Sequence, residues 1–486
     1  MLLFWSLDLL TAPTRYPISL THRKRAISTA ILLAIYAAVV FLLPRPQTVK
    51  PEGWRLLGLF AATIAGLVLQ PIPGGALVLI AVGLASLIAG LTMATALSGF
   101  ADPVVWLVLT AFFISSALLK TGLARRIALQ FVRLFGRTTL GVCYSLGFTD
   151  LILGFIIPSA GARSGGVVLP IVRSVAQLYG SEPGPTAALL GSFLMAGVYQ
   201  AICVTSAALL TAQASNAIAA KMAAQFLHYP IDWLGWFRAG IVPGLLSLAV
   251  IPWVVYRLYP PQIRRTPEAS EFARRQLAEM GPMALPEYIV CIVFAGVCAA
   301  WILTKLDASL PALLGCSVLL VTGVLKWSDV TRDHAAWDVF IWYGGLFEMA
   351  RALGEAGITK AFANAVGNSL AAYGTTTLFV VALLIYYFAH YGFASITAHT
   401  LAMYPAFAAV MLAKGVPPGL AAFSLACFGN LCAGLTHYGT TPAPMFFAQG
   451  YVPLGTWWRI GIVTSLVNLA IWSTVGFAWW KYLGIW

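Results

Sequence analysis

Two short stretches set hydroxyl groups beside a basic residue within otherwise apolar sequence. The first is Ser159-Ala160-Gly161-Ala162-Arg163-Ser164, and the second, 236 residues later, is Ser395-Ile396-Thr397-Ala398-His399-Thr400. Arg163 and His399 hold equivalent places in the two. A charged side chain near mid-bilayer costs about 2.5–3.5 kcal/mol on insertion scales, so such a residue is a functional candidate. A bound anion offsets that cost and favours the charged form of His399. Hydroxyls and the N–H groups of a helix start add donors, and this set suits a carboxylate. A polar break follows each stretch: Thr211-Ala212-Gln213-Ala214-Ser215-Asn216, then Thr436 to Pro444 with a Gly439-Thr440-Thr441-Pro442 core. The candidate binding residues are therefore Ser159, Ala160, Gly161, Arg163, Ser164, Ser215 and Asn216 from the first pair of segments. Ser395, Thr397, His399, Thr400, Thr440, Thr441 and Pro442 come from the second.

The elements that must position them are membrane helices. Of 486 residues, 60% are hydrophobic and 9% charged, against roughly 45–50% and 25% in soluble domains. Mean hydropathy is +0.87. This excludes a soluble enzyme, a disordered chain and a nucleic-acid-binding module, and describes an all-α polytopic membrane protein. The net charge of +13 fits positive residues gathered in cytoplasmic loops. Residues 1–25 read as a cytoplasmic N-terminal segment whose charges follow its apolar patch, the wrong order for a signal peptide.

Apolar stretches long enough to cross a bilayer fall near 26–43, 54–70, 74–97, 104–120, 186–210, 238–257, 287–305, 309–326, 337–353, 417–437 and 458–482. Two compound regions, near 140–175 and 375–412, are too long for one crossing and too broken for two. They read as re-entrant hairpins, with the two hydroxyl-rich stretches as their tips. The chain is also duplicated. Arg238–Ala249 (RAGIVPGLLSLA) and Arg459–Ala470 (RIGIVTSLVNLA) agree at seven of twelve positions, and Thr121–Arg125 matches Ala356–Lys360. The sequence divides into scaffold helices at 26–97, a first repeat at 98–258, a basic cytoplasmic loop at 259–286, and a second repeat at 287–486. Lys120, Arg125, Arg126, Arg133 and Arg137 mark one cytoplasmic loop, whereas the matching place in the second repeat has only Arg351 and Lys360. The repeats are therefore expected to be inverted, with the binding site between the hairpin tips. This orientation puts the C-terminus outside.

Acidic residues are few in the apolar regions. Asp102 and Asp338 read as helix N-caps, Glu348 and Arg351 as an i, i+3 pair, and Asp150 has no evident partner. No paired carboxylates or metal-diphosphate motif appear, which argues against an intramembrane transferase. The seven cysteines show no CxxC or zinc spacing, so neither a metal nor a disulfide framework is expected.

The stretches PSAGARSGGVVLPIVRS (158–174), FASITAHTLAMYP (393–405), YGTTPAPMFFAQGY (438–451) and WWRIGIVTSLVNLAIW (457–472) resemble the divalent anion:sodium symporter superfamily. They are most similar to its exchanger branch, which contains the plastid 2-oxoglutarate/malate translocator and bacterial citrate/succinate and tartrate/succinate antiporters. The resemblance implies about eleven transmembrane helices, two re-entrant hairpins, a homodimer, and a scaffold along which an elevator-type transport domain slides. It implies exchange of di- or tricarboxylates across the inner membrane without sodium or any other cofactor, because exchanger members carry fixed basic groups where Arg163 and His399 stand. A sodium-coupled symporter, and a membrane enzyme or transport-dead sensor on the same fold, are the alternatives. The first tip departs from the family's Ser-Asn-Thr pattern, reading Ser159-Ala160-Gly161.

Overall fold

The computed structural model describes residues 18–304, 306–358, 361 and 374–486. Among these residues the regular structure is helical, with one isolated bridge between Thr138 and Arg265. Nine helices among them are at least 18 residues long and apolar enough to cross a membrane. At 1.5 Å per residue such a helix spans about 27 Å, close to the hydrocarbon thickness. Leu33, Phe41, Leu87, Leu303 and Val321 point outward, as lipid-facing side chains do.

In chain order, α1 (Ile18–Ala37), α2 (Pro51–Leu69) and α3 (Gly74–Ala89) come first. The first half continues with α4 (Pro103–Lys120), α5 (Leu123–Phe135), α6 (Thr139–Gly154), α7 (Leu169–Leu178), α8 (Gly191–Ala208), α9 (Ala214–Leu227) and α10 (Trp233–Leu258). After α11 (Pro267–Glu279), the second half holds α12 (Leu285–Leu303), α13 (Ser309–Val321), α14 (His334–Glu355), α15 (Thr375–Phe388), α16 (Ile396–Ala413), α17 (Pro418–Leu431) and α18 (Leu454–Ile471). Both compound regions are helix–turn–helix hairpins, α6 to α7 and α15 to α16. Each is followed by an interrupted helix, α8/α9 and then α17 with the turn Pro442–Phe447, and by a long closing helix. The order of elements thus repeats. The matched segment Ala356–Lys360 runs into Thr359 and Lys360, which, like residues 1–17 of the N-terminal segment, lie outside the described residues.

Local signals set the helix boundaries. Asp102 accepts the Val104 N–H at 2.9 Å with Pro103 beside it, and Gly122, at φ +81°, turns the chain from α4 into α5. Asp338 does not start α14. Asp333 does, accepting from Ala336 N at 3.1 Å, while Asp338 reaches across to the Gly75 N–H at the start of α3, 2.8 Å away. The Glu348–Arg351 pair forms at 2.9 Å, and Ser98 donates to Glu348 at 2.8 Å. The basic segment 259–286 is not merely a loop. It folds into α11, which packs on the amphipathic α5, and Arg126 of α5 grips Glu287 at 2.7 and 3.2 Å.

The repeated Arg-x-Gly-Ile-Val motif has a packing role. Gly240 in α10 faces the Ala208 carbonyl oxygen, where a Cβ would approach to 2.4 Å. Gly461 in α18 faces the Gly434 carbonyl oxygen, where a Cβ would come within 2.5 Å. In each half the missing side chain lets the closing helix lie against the interrupted one. Gly240→Ala and Gly461→Ala should each lower stability by about 1–3 kcal/mol, the usual cost of overpacking. Melting temperature in detergent reads this directly, and an unchanged value for both variants would show that the contacts are loose.

Candidate functional site

At the first tip, Ser159 accepts the Ala162 N–H at 3.1 Å and starts a short turn, Ala160–Arg163. That turn passes through a π-helical turn, Ser164–Val168, into α7. Arg163 is fully buried. Its Nε and Nη2 donate to the two carboxylate oxygens of Asp150 at 2.8 and 3.1 Å. Nη1 donates to Ile157 O at 2.7 Å and to Ala212 O, and Nη2 also reaches Ser206 Oγ at 3.3 Å. A guanidinium has five N–H donors, and all five are engaged within the protein. Asp150, read in the sequence as lacking a partner, is the counter-ion, and it also accepts from Thr205 Oγ1. Arg163 therefore acts as a strut joining the arms of the first hairpin to the break after α8.

At the second tip, Ser395 accepts the Ala398 N–H at 3.4 Å and starts α16. His399 occupies the equivalent of Arg163 but has no carboxylate beside it among its hydrogen-bond partners. Its Nε2 lies 2.9 Å from Tyr386 O, and its ring packs on Tyr386 with centroids 4.4 Å apart. His390, on the turn Ala389–Gly392, places its Nε2 2.9 Å from Gly439 O. His390, His399 and Cys432 come together, one nitrogen or sulfur atom of each within 4.8 Å of the others. The Cys432 thiol donates to Gly429 O at 3.1 Å.

Side chains saturate the carbonyls exposed where the helices break. At the first break, Asn216 Nδ2 donates to Ser206 O and Leu209 O, both at 2.8 Å, and Trp236 Nε1 to Ala207 O at 3.1 Å. At the second, Tyr387 donates to Leu431 O at 3.0 Å, Tyr199 to Ala433 O at 2.6 Å, and Gln200 Nε2 to Gly434 O at 3.0 Å. Asn430 Nδ2 donates to Asn216 Oδ1 at 2.7 Å, tying α17 to α9.

The fold gathers these segments. The Ala214 N–H donates to Pro158 O at 3.1 Å, joining the first tip to the first break. A Cβ on Gly161 would lie 2.8 Å from Thr441 Cγ2, so the same tip touches the second break. The second tip meets that break through His390 and Gly439, and α16 packs on α9. Of the sequence candidates, Ser164, Ser215 and His399 keep buried polar atoms without a partner, whereas Ser159, Ser395, Arg163 and Asn216 are engaged structurally. Ala160, Gly161, Thr400, Thr440 and Pro442 are buried, Thr397 is half-buried and Thr441 exposed. Residues missed in the sequence are Asp150, Thr205, Ser206, Gln213, His390, Asn430 and Thr436. Asp150 and His390 carried a signal as ionisable residues in apolar sequence, and Gln213 and Thr436 by lying in the polar breaks, whereas Thr205, Ser206 and Asn430 carried none. A cavity of about 770 Å³ runs between α2 and α16, lined by Trp54, Phe60, Phe393, Leu401 and Pro405, and borders the second tip, where Phe393 packs on His399 with centroids 5.2 Å apart. Its apolar walls do not suit a carboxylate.

Two predictions follow from the geometry of the first tip. Asp150→Ala leaves the buried guanidinium unpaired, a loss of about 3–5 kcal/mol. Arg163→Ala, which also uncovers Ile157 O and Ala212 O, should lose at least as much, and melting of the detergent-purified forms would show it. Equal stability of Arg163→Ala and the parent would remove the strut. Second, Gly161→Thr should destabilise through contact with Thr441, by about 1–3 kcal/mol, and Thr441→Ala should restore stability in the double variant. No rescue would place the clash elsewhere.

The chain matches the family model described as "Sodium:sulfate symporter transmembrane region" over residues 23–486. It is 42% identical over 470 residues to "Putative malate transporter YflS" of Bacillus subtilis, covering 96% of this chain and 98% of that protein. It is 41% identical over 480 residues to "Dicarboxylate transporter 1, chloroplastic" of Arabidopsis thaliana, covering 98% and 86% of the two. "Inner membrane protein YbhI" of Escherichia coli is 35% identical over 475 residues, with 95% and 99% covered. The crystal structure of the Alcanivorax borkumensis YdaH transporter shares the fold, with a TM-score of 0.53 at 14% identity, covering 95% of this chain and 98% of that one. With a family match over nearly its whole length, its relatives and the nine apolar helices among its described residues, this chain is a multi-pass membrane protein that belongs to the divalent anion:sodium symporter superfamily.

Proposed function

We propose that this chain exchanges di- or tricarboxylate anions, of the malate, succinate, 2-oxoglutarate, citrate or tartrate kind, across a bacterial inner membrane. The observation that carries the reading is the meeting of two hairpin tips and two helix breaks, with the Ser164, Ser215 and Thr436 hydroxyls buried there and unpartnered. A lone buried hydroxyl is costly. An ionised carboxylate only accepts hydrogen bonds, which makes it the complement of hydroxyls and tip N–H groups. The malate and dicarboxylate names of relatives that match almost end to end support the same substrate class.

In this reading the inverted repeats form a transport domain that moves as an elevator against a scaffold, within a homodimer. The N-terminus is cytoplasmic and the C-terminus outside. Exchange rather than sodium symport is favoured because the basic groups at the two tips are tethered side chains and cannot leave with the substrate as a co-transported cation does. Arg163 is neutralised by Asp150, which leaves His399 as the basic group of the pair able to meet an anion. The sodium:sulfate description of the family model favours the second reading, sodium-driven uptake.

Proteoliposomes decide between them. Vesicles preloaded with succinate should take up labelled malate equally with and without sodium, and empty vesicles should take up little. Sodium-driven accumulation in empty vesicles would establish the second reading. Absence of flux under every condition would point to a sensor or an enzyme.

A further inference from the structure

Two imidazoles beside the second tip are left half-satisfied. His390 and His399 are both fully buried, and each Nε2 lies 2.9 Å from a backbone carbonyl oxygen. A carbonyl oxygen cannot donate, so both Nε2 atoms carry hydrogen, and in neutral rings both Nδ1 atoms are lone-pair acceptors. Neither Nδ1 has a partner. The rings meet edge to face with centroids 5.2 Å apart. A carboxylate, itself an acceptor, has nothing to bind at two bare acceptors. Once a proton sits on one Nδ1, the pair offers a donor and a positive charge.

The groups on the surrounding elements do not supply that charge. On α15, the Tyr386 hydroxyl lies toward Gly429 and the Tyr387 hydroxyl donates to Leu431 O. Tyr404 of α16 donates to Ala422 O, and Tyr391 follows His390 on its own turn; on the second break, His437 Nδ1 accepts from Trp458 Nε1 at 3.1 Å and Tyr438 donates to Tyr391 O at 3.0 Å. Cys432 donates to Gly429 O, and Cys427 of α17 is a buried thiol. Lys221 of α9 pairs with Asp102 at 2.7 Å, and Arg55 of α2 with Glu52 at 3.0 Å. Arg163 is neutralised by Asp150.

We infer that His390 and His399 together take up one proton when a dicarboxylate binds, so that the anion is held, and carried, as a proton-linked complex. The inference rests on the carboxylate reading of the site, and it adds His390 as a binding-site residue. Linkage gives the sign: a ligand that brings a proton with it binds more tightly as pH falls, by up to about tenfold per pH unit for one proton.

The test uses the full chain purified in detergent, with chelator present, and succinate as the probe because it has no hydroxyl to donate to an Nδ1. Calorimetric titration in buffers of different ionisation enthalpy, between about pH 7 and 8.5 where carboxylates are ionised, counts the protons. The expected count is close to one per succinate, with affinity falling as pH rises. His390→Gln keeps a donor for Gly439 O but no titrating ring. It should lower the count and flatten the pH dependence, and His390→Gln with His399→Gln should abolish both. A wild-type count of zero with normal succinate affinity overturns this inference and leaves the carrier reading intact, whereas absence of both binding and exchange overturns the carrier reading as well. A count unchanged in His390→Gln overturns the pairing. Stoichiometric zinc in the purified protein would also overturn it, because the lone pairs would then hold metal. The wild-type count stands whether or not the double variant folds.

Discussion

Within a bilayer every backbone N–H and C=O must find a partner inside the protein, since each one left alone costs several kcal/mol. The two helix breaks of this chain expose carbonyls in that setting, and the rest of the structure is arranged around covering them. Asn216, Trp236 and Arg163 cover the first break, and Tyr199, Gln200, Tyr387 and His390 cover the second. These side chains come from α8, α9, α10 and both hairpins. The unwound segments hold their shape only because so many separate elements fix them.

The duplication makes the point twice with different chemistry. Both tips begin with a serine cap, and both closing helices carry a glycine against a break carbonyl. The residues at the centre of the tips have diverged. Arg163 is locked in a bidentate pair with Asp150 and lends its remaining donors to backbone and Ser206, whereas His399 uses one nitrogen on Tyr386 O and leaves the other free. A buried ion pair is a weak source of net stability but costly to break, which suits a fixed strut. A neutral imidazole can change its protonation and its hydrogen-bonding sense, which suits a contact that must form and release.

Much of this was legible in the chain. Long apolar runs interrupted by Gly, Ser, Thr and Pro marked the hairpins and breaks, because hydrocarbon leaves few ways to arrange such segments. The repeat was readable from Arg-x-Gly-Ile-Val, although its cause, a glycine against a carbonyl oxygen, was not. Amphipathic α5 and α11 were hidden, since their charged faces read as loops under a hydropathy count. Asp150 and Arg163 are thirteen residues apart on opposite arms of a hairpin, a juxtaposition no local spacing rule encodes. Asp338 was misread because an acidic residue near a helix start suggests a cap, while Asp333 five residues earlier satisfies the geometry. His390 was passed over in favour of His399, the residue with a counterpart in the other repeat.

The inequality of the tips bears on how a ligand would be held between them. At the first tip the paired charges cancel, and what remains is short-range: a serine hydroxyl, the N–H groups of a tight turn, and the nearby Thr441 methyl that fills the space above Gly161. Such contacts recognise shape and one carboxylate oxygen at a time, and they change little whether or not a ligand is present. At the second tip two imidazole Nδ1 atoms have no partner, and as acceptors their polarity is opposite to what a carboxylate needs until a proton arrives. In an interior of low dielectric, the appearance of one charge there outweighs several neutral hydrogen bonds at the other tip. If a dicarboxylate binds between the tips as proposed, discrimination between bound and empty states is concentrated on the His390–His399 side, and the Asp150–Arg163 pair supplies the rigid wall against which it works.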